Sequence, residues 1–220
     1  MQSTTATLHA QVPQHEIIKL YNSLAGIYDI WAYLTELKAR KRALELAHLK
    51  NGETILEVAV GTGVAFAEMV RQNPDGFTTG IDISEGMLAK AEKRMASSKT
   101  TNYKLQLGSA FALPAADKSV DILMNNYMFD LLEFEQMDQA LTEFKRVLKP
   151  GGKLILINMT IGEKTGSGIY HRIYQLSPRL MGGCRGVRLS DKLAEHGFII
   201  KSREYYQQML FPSEVILAQI

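Results

Sequence analysis

A chain of 220 residues with 46% hydrophobic content can bury one substantial core, and its length suits a single α/β domain. One cysteine, Cys184, excludes an internal disulfide, and no apolar run reaches the roughly 18 residues of a membrane span. The net charge of +2 conceals a gradient, with 7 basic against 4 acidic side chains over 171–220, too dilute for a nucleic-acid footprint.

Residues 1–13 are polar and lack periodicity, as a loose tail does. After Pro13, Ile17, Ile18, Leu20, Tyr21 and Leu24 share a helical face, and a second helix is expected over Glu36 to Leu49, broken by Asn51-Gly52. Strand and helix then alternate. The run Thr54 to Val60 ends in glycine and reads as a strand buried on both faces. A helix over Val64 to Gln72, a strand over Phe77 to Ile81 and an N-capped helix over Ser84 to Met95 follow. Tyr103 to Leu107 and Val120 to Asn125 give the next strands. Glu135 to Leu148 is a helix stopped by Lys149-Pro150-Gly151-Gly152, and Lys153 to Asn158 is a fifth strand.

Beyond that point the character changes. Residues 162–188 carry six glycines among aromatic and basic residues, with a short helix expected near Ile169 to Leu176. Leu189 to His196 is helical, and Phe198 to Tyr206 and Val215 to Ala218 form a closing antiparallel pair separated by Phe211-Pro212. The order predicts a seven-stranded, mostly parallel sheet with an antiparallel C-terminal strand and helices on both faces. The whole of 1–220 reads as one domain.

Chemistry concentrates where the first strand ends. Gly61 and Gly63 remove side chains so that backbone can approach a ligand. The helix starting near Val64 points free amides at the same place. Asp82 ends the second strand, where a carboxylate accepts both hydroxyls of a ribose, and these strand ends form the usual ligand crevice. A dinucleotide site wants a third glycine where Phe66 stands. Glu57, inside the strand, is costly to bury unless a polar network meets it.

Four blocks carry a family resemblance: residues 55–63 (ILEVAVGTG), 80–88 (GIDISEGML), 108–114 (GSAFALP) and 146–154 (RVLKPGGKL). They resemble the class I S-adenosylmethionine-dependent methyltransferases, which have a Rossmann-like fold. The branch is the one containing ubiquinone/menaquinone C-methyltransferases and bacterial phosphatidylethanolamine N-methyltransferases. The resemblance implies S-adenosylmethionine as donor and S-adenosylhomocysteine as product. It implies that Gly61, Thr62 and Gly63 contact the methionyl part, that Glu57 reaches its amino group, and that Asp82 holds the ribose. Ile83 and Met87 would sandwich the adenine, and Asn125 would face the sulfonium. Where the family carries an aspartate this chain has Ser109, so its hydroxyl, or the amides of Ala110 and Phe111, would have to serve the adenine.

The domain then divides into N-terminal helices over 14–50, a cofactor-binding core over 51–160, and an acceptor lid with the last strands over 161–220. Tyr28, in a Tyr-Asp segment resembling that of the branch, or Tyr21, would cover the sulfonium by its ring face. Packing of these aromatics on the sheet edge is the alternative. Tyr127, beyond the fourth strand, and His171, in the glycine-rich stretch, are the other candidate catalytic groups, and Asp130 lies where an acceptor would enter. Arg185 and Arg188 suit a phosphate. No Cys/His cluster suggests a metal.

The expected function is methyl transfer to a small, partly lipophilic acceptor, either a phospholipid headgroup or a quinone-like ring. A small soluble amine, thiol or hydroxyl metabolite is the alternative, as is a non-catalytic adenosylmethionine-binding protein. A nucleotide-binding oxidoreductase is opposed by Phe66 and Glu57. Nucleic acid is disfavoured as a partner, because residues 125–128 (NNYM) lack the Asn/Asp-Pro-Pro-aromatic grip on a flipped base. Without a signal-peptide pattern a cytoplasmic location is expected, with peripheral membrane contact open.

Overall fold

Thr54–Val58 (β1) lies at the centre of the sheet in the computed structural model. The structure describes residues 10, 12–24, 28–163, 174, 176–177, 183–208 and 211–220, without the side chains of 14, 24 and 28–31. Gln14–Leu24 (α1) and Tyr28–Ala47 (α2) precede β1, and Val64–Gln72 (α3) follows it. Then come Phe77–Asp82 (β2), Glu85–Met95 (α4), Tyr103–Leu107 (β3), Val120–Asn126 (β4), a 3-10 turn at Phe129–Leu131, Phe134–Val147 (α5) and Leu148–Met159 (β5). Ser190–Glu195 (α6), Ile199–Gln208 (β6) and Phe211–Gln219 (β7) close the chain.

The strand order is β3-β2-β1-β4-β5-β7-β6. β1 to β5 run parallel, and β7 is antiparallel to both β5 and β6. Expected fold and observed fold agree.

Alternation along the strands builds two cores. Leu56, Val58, Leu123, Leu154 and Leu156 face α5 and α6, where Phe144 and Leu193 are fully buried. Ile55, Ile122, Met124, Ile155 and Val215 face the other way. On that side Ala39, Ala43 and Ala47 recur every four residues on α2, and the small side chains let the helix lie close to the sheet. Phe66 finds its space because residue 80 is glycine: a Cβ there would stand 2.8 Å from the ring. Tyr103 meets the same ring edge-on at 5.9 Å.

Three boundaries differ most from expectation. α2 begins at Tyr28, eight residues earlier than the apolar pattern indicated, and its first described buried side chain is Ala32. Residues 149–152 stop α5 as expected, yet they belong to β5. They loop out as a bulge between the Val120–Leu148 and Ile122–Lys153 pairs, with Gly151 at φ 75. β7 starts at Phe211 and includes Pro212, which pairs with Gln207 at the turn end, where a missing amide costs least. The short helix expected near 169–176 falls mainly outside the described residues. Within it, Tyr174 packs into the core on the α2 side.

Candidate active site

Parallel strands put Val58, Asp82 and Asn126 at one edge of the sheet. The chain leaves β1 through Ala59 (φ 61), Gly61 (φ 56) and Gly63 (φ 78), all left-handed. Ala59 is the strained member, since that region costs a residue with a Cβ roughly 1–2 kcal/mol. At Gly61 a Cβ would meet nothing within 4 Å, so the backbone borders open space. At Gly63 it would stand 2.9 Å from the Ala91 side chain. That glycine lets α3 and α4 approach, and it lines none of the three cavities described below.

Asp82 is fixed from both sides. Its Oδ2 accepts from the Gly61 amide at 2.8 Å and its Oδ1 from the Ser84 amide at 2.8 Å. Each oxygen keeps a lone pair for a further donor. Burial raises its pKa, and the amides of Ser84, Gly61 and Ile83 oppose that rise.

Glu57 is the more exposed to cost. It is 1% accessible, its Oε1 accepts from Asn126 Nδ2 at 2.8 Å, and its Oε2 is buried with no hydrogen-bond partner. Burial pushes its carboxyl up to about 8, against the pull of Arg40 and Asn126. A buried oxygen left unpaired in this way destabilises the fold until a donor arrives.

Three chambers run along this edge. A polar one of about 40 Å³ is bounded by Glu36, Arg40, Glu57, Thr62 and Asn126. Within it Arg40 Nη2 meets Glu36 Oε2 at 2.5 Å. Gly61, Asn126 and Tyr127 also border a second chamber of about 110 Å³, roofed by Ile17, Ile18 and Tyr21 of α1 and floored by Asp82, Ile83 and Met87. Asp82 and Ile83 in turn border a third of about 270 Å³ that runs past Ser109, Ala110 and Phe111 towards Val12 and Leu132. The sequence along the crevice is an ionic end, a carboxylate with spare acceptors, and an apolar slot.

Glu57, Gly61, Thr62, Asp82, Ile83, Met87, Ser109, Ala110, Phe111 and Tyr21 all line these adjoining chambers. Three of the expected residues have other partners in the structure. Asn125 lines none of the three chambers; it is fully buried and its Nδ2 donates to the Val58 carbonyl at 2.8 Å. Tyr127 gives a wall, but its hydroxyl meets Ser213 Oγ at 3.0 Å and burial raises its pKa, so it is placed as a structural phenol. The Phe111 amide donates to Ser109 Oγ at 3.2 Å, which removes it from service to a ligand. The Tyr28 side chain and His171 lie outside the described residues.

Asp130 lines no chamber either. Its carbonyl accepts from the Arg185 amide at 3.2 Å and from its Nη1 at 3.0 Å, while its carboxyl, facing Cys184, is lifted to about 7 by burial. Arg185 also donates to the Leu132 carbonyl and is fully buried, so it has no face for a phosphate.

Asn126 was missed by one residue, and strand alternation would have found it. Ile122 and Met124 share the face of Ile55, and Glu57 follows Ile55 by two. Asn126 follows Met124 by two, so it must meet Glu57. Arg40 and Glu36 were missed because α2 has no strongly apolar stripe; the alanines at 39, 43 and 47 mark its buried face only faintly.

A family model described as a methyltransferase domain matches residues 55–152. Residues 55–152 of this chain are thus similar to a methyltransferase domain. A demethylmenaquinone methyltransferase of Listeria monocytogenes is 30% identical over 155 residues, covering 67% of this chain and 64% of that protein. The match thus spans just under two thirds of that relative's length. Among solved structures, a Haloferax volcanii methyltransferase in complex with the Trm112 activator has a TM-score of 0.74 at 15% identity, covering 92% of this chain and 96% of that one. A SAM-dependent methyltransferase from Aquifex aeolicus has a TM-score of 0.64 at 21% identity, covering 96% and 100%. These last two likenesses are of fold.

S-adenosylmethionine is the cofactor that the similarity to a methyltransferase domain implies, and the chambers suit its three parts. The unpaired Glu57 Oε2 beside Arg40 matches a zwitterionic tail, the spare lone pairs of Asp82 match a diol, and the slot past Ile83 matches a flat ring. Among the described residues no group of His, Cys, Asp and Glu could hold a metal ion.

Proposed function

We propose that the protein moves the methyl group of S-adenosylmethionine to a small, partly lipophilic acceptor with a quinol-like ring. The observation that carries the donor half is the unpaired, buried Glu57 oxygen at one end of a crevice whose middle is Asp82. In this reading Glu57 takes the donor's ammonium, Arg40 its carboxylate and Asp82 the two ribose hydroxyls. Thr62 and the Gly61 backbone flank the tail, and Ile83 and Met87 border the adenine beside Ser109 and Ala110. Asn126 replaces Asn125 next to the reacting end. Tyr21 and, by resemblance, Tyr28 cover it from above.

When bound, the sulfonium supplies an electrophilic methyl carbon. The chain's own contribution is to hold that carbon in line with the acceptor and to exclude water with Ile17, Ile18, Met128 and Leu131. A ring acceptor is favoured over a phospholipid headgroup because Arg185 is spent on backbone carbonyls. The name of the Listeria relative points the same way. An acceptor with an apolar chain would bring the protein to a membrane surface. Exposed Tyr33, Leu34 and Leu37, with Lys38 and Lys41 on the same helix, suit such contact. No helix among the described residues is long and apolar enough to cross a membrane.

The test is incubation with methyl-labelled donor and, separately, a reduced demethylnaphthoquinone bearing a short isoprenoid chain, phosphatidylethanolamine vesicles and a pool of water-soluble amines and thiols. Label should enter the naphthoquinol. Label in the vesicles or the soluble pool alone would reassign the acceptor. Donor binding without transfer to any would favour a non-catalytic role.

A further inference from the structure

α1 roofs the donor crevice through Ile17, Ile18 and Tyr21, and a roof must be held down. Its anchor is Asn22, one residue beyond Tyr21. Asn22 Oδ1 accepts from Ser84 Oγ at 2.6 Å and from the Gly86 amide at 2.9 Å. Gly86 belongs to the first turn of α4, whose amides have no partner within their own helix. Ser84 is the N-cap of that helix, accepting from the Met87 amide at 3.2 Å, and its own amide holds Asp82. One hydroxyl and three amides thus join the roof, the adenine wall and the ribose carboxylate.

Residue 86 is small for this contact. A Cβ there would stand 2.9 Å from Asn22 Oδ1 and 3.1 Å from Asn22 Cα. Glycine in a helix is otherwise unfavourable, so its presence is explained by the close approach of α1 rather than by α4.

We propose that Asn22 is a positioning residue for the methyl donor: by capping α4 from another helix, it latches α1 over Asp82, Ile83 and Met87. The inference rests on the donor reading above. The latch uses a single acceptor oxygen on two donors at a helix N-terminus. An aspartate therefore serves as well as asparagine, and its charge suits that end of the helix. Alanine cannot serve. A donor molecule enters when the latch is open and is retained when it is closed, so losing the latch shows as faster release.

The test measures S-adenosylhomocysteine affinity and release rate for the full chain, with hydrogen exchange of residues 14–24 followed in the ligand-free protein. Asn22→Ala should weaken binding about tenfold, by faster release, and quicken exchange in α1 with β1 unchanged. Asn22→Asp should bind within about twofold of the parent. Gly86→Ala should lose as much affinity as Asn22→Ala while leaving the melting temperature equal or higher, and the double variant should lose no more than either alone. Unchanged affinity in Asn22→Ala, or equal loss in Asn22→Asp, would overturn the latch while parent binding upholds the donor site. A parent that binds no S-adenosylhomocysteine would overturn both.

Discussion

The middle of the sheet and its β7–β6 edge treat buried charge in opposite ways. On the β1–β4 side Glu57 keeps an unpaired oxygen, and Asp82 holds two amides with lone pairs to spare. On the β7–β6 side the charges are closed upon one another. Glu214, fully buried, takes Arg203 Nε at 2.6 Å and the Leu189 amide at 3.3 Å. Arg185 is consumed by the Asp130 and Leu132 carbonyls and lies 5.7 Å from the Phe134 ring. The basic excess of the last quarter is thus partly internal, at Arg185 and Arg203. Unpaired buried oxygens also occur in the scaffold, at Asp130, Asn158 and Ser190; Glu57 differs in that it borders a chamber.

Breaking the closed end should give the largest effect, on stability alone. Arg203→Ala leaves Glu214 buried with one amide, and should cost about 3 kcal/mol by thermal or denaturant unfolding. S-adenosylhomocysteine affinity in the folded fraction should not change. Breaking the open end should do the reverse. Asp82→Ala should weaken S-adenosylhomocysteine binding at least tenfold, as removal of a charged acceptor of two hydroxyls requires. Retained affinity would remove Asp82 from the site.

The open end also predicts a pH dependence. Folded Glu57 holds its proton up to about 8, whereas a free glutamate carboxyl releases it near 4.5. Between those values the folded state binds more protons than the unfolded, so the ligand-free protein loses stability as pH rises through this window. Asp130, lifted to about 7, contributes with the same sign. Unfolding measured from pH 5 to 8 should therefore fall less steeply in Glu57→Gln, and an identical slope would contradict the assignment. The smallest effect belongs to Tyr127→Phe, which loses only the Ser213 contact. It should cost about 1 kcal/mol of stability and leave donor affinity intact.

The fold was legible because its signals are local. Glycine after an apolar run, an N-cap serine before α4 and a Pro-Gly-Gly stop after α5 each act within a few residues. The site was legible where strand ends and a turn define it, at Glu57, Gly61 and Asp82. It was not legible where a side chain's direction depends on register, as with Asn125 and Asn126, or on a distant partner. Tyr127 looked available from sequence because Ser213 lies 86 positions away. Arg40 and Asn22 were hidden for the same reason: each acts on a helix or strand that sequence proximity does not bring near.

The central claim is that Glu57 waits, protonated, for the donor's ammonium. Calorimetric titration with S-adenosylhomocysteine at pH 7, repeated in buffers of different ionisation enthalpy, counts the protons exchanged on binding. With its carboxyl at about 8, Glu57 should release about one proton per ligand bound as it ionises against the ammonium, and Glu57→Gln should release none. Binding without proton release, equal in both proteins, would contradict the account.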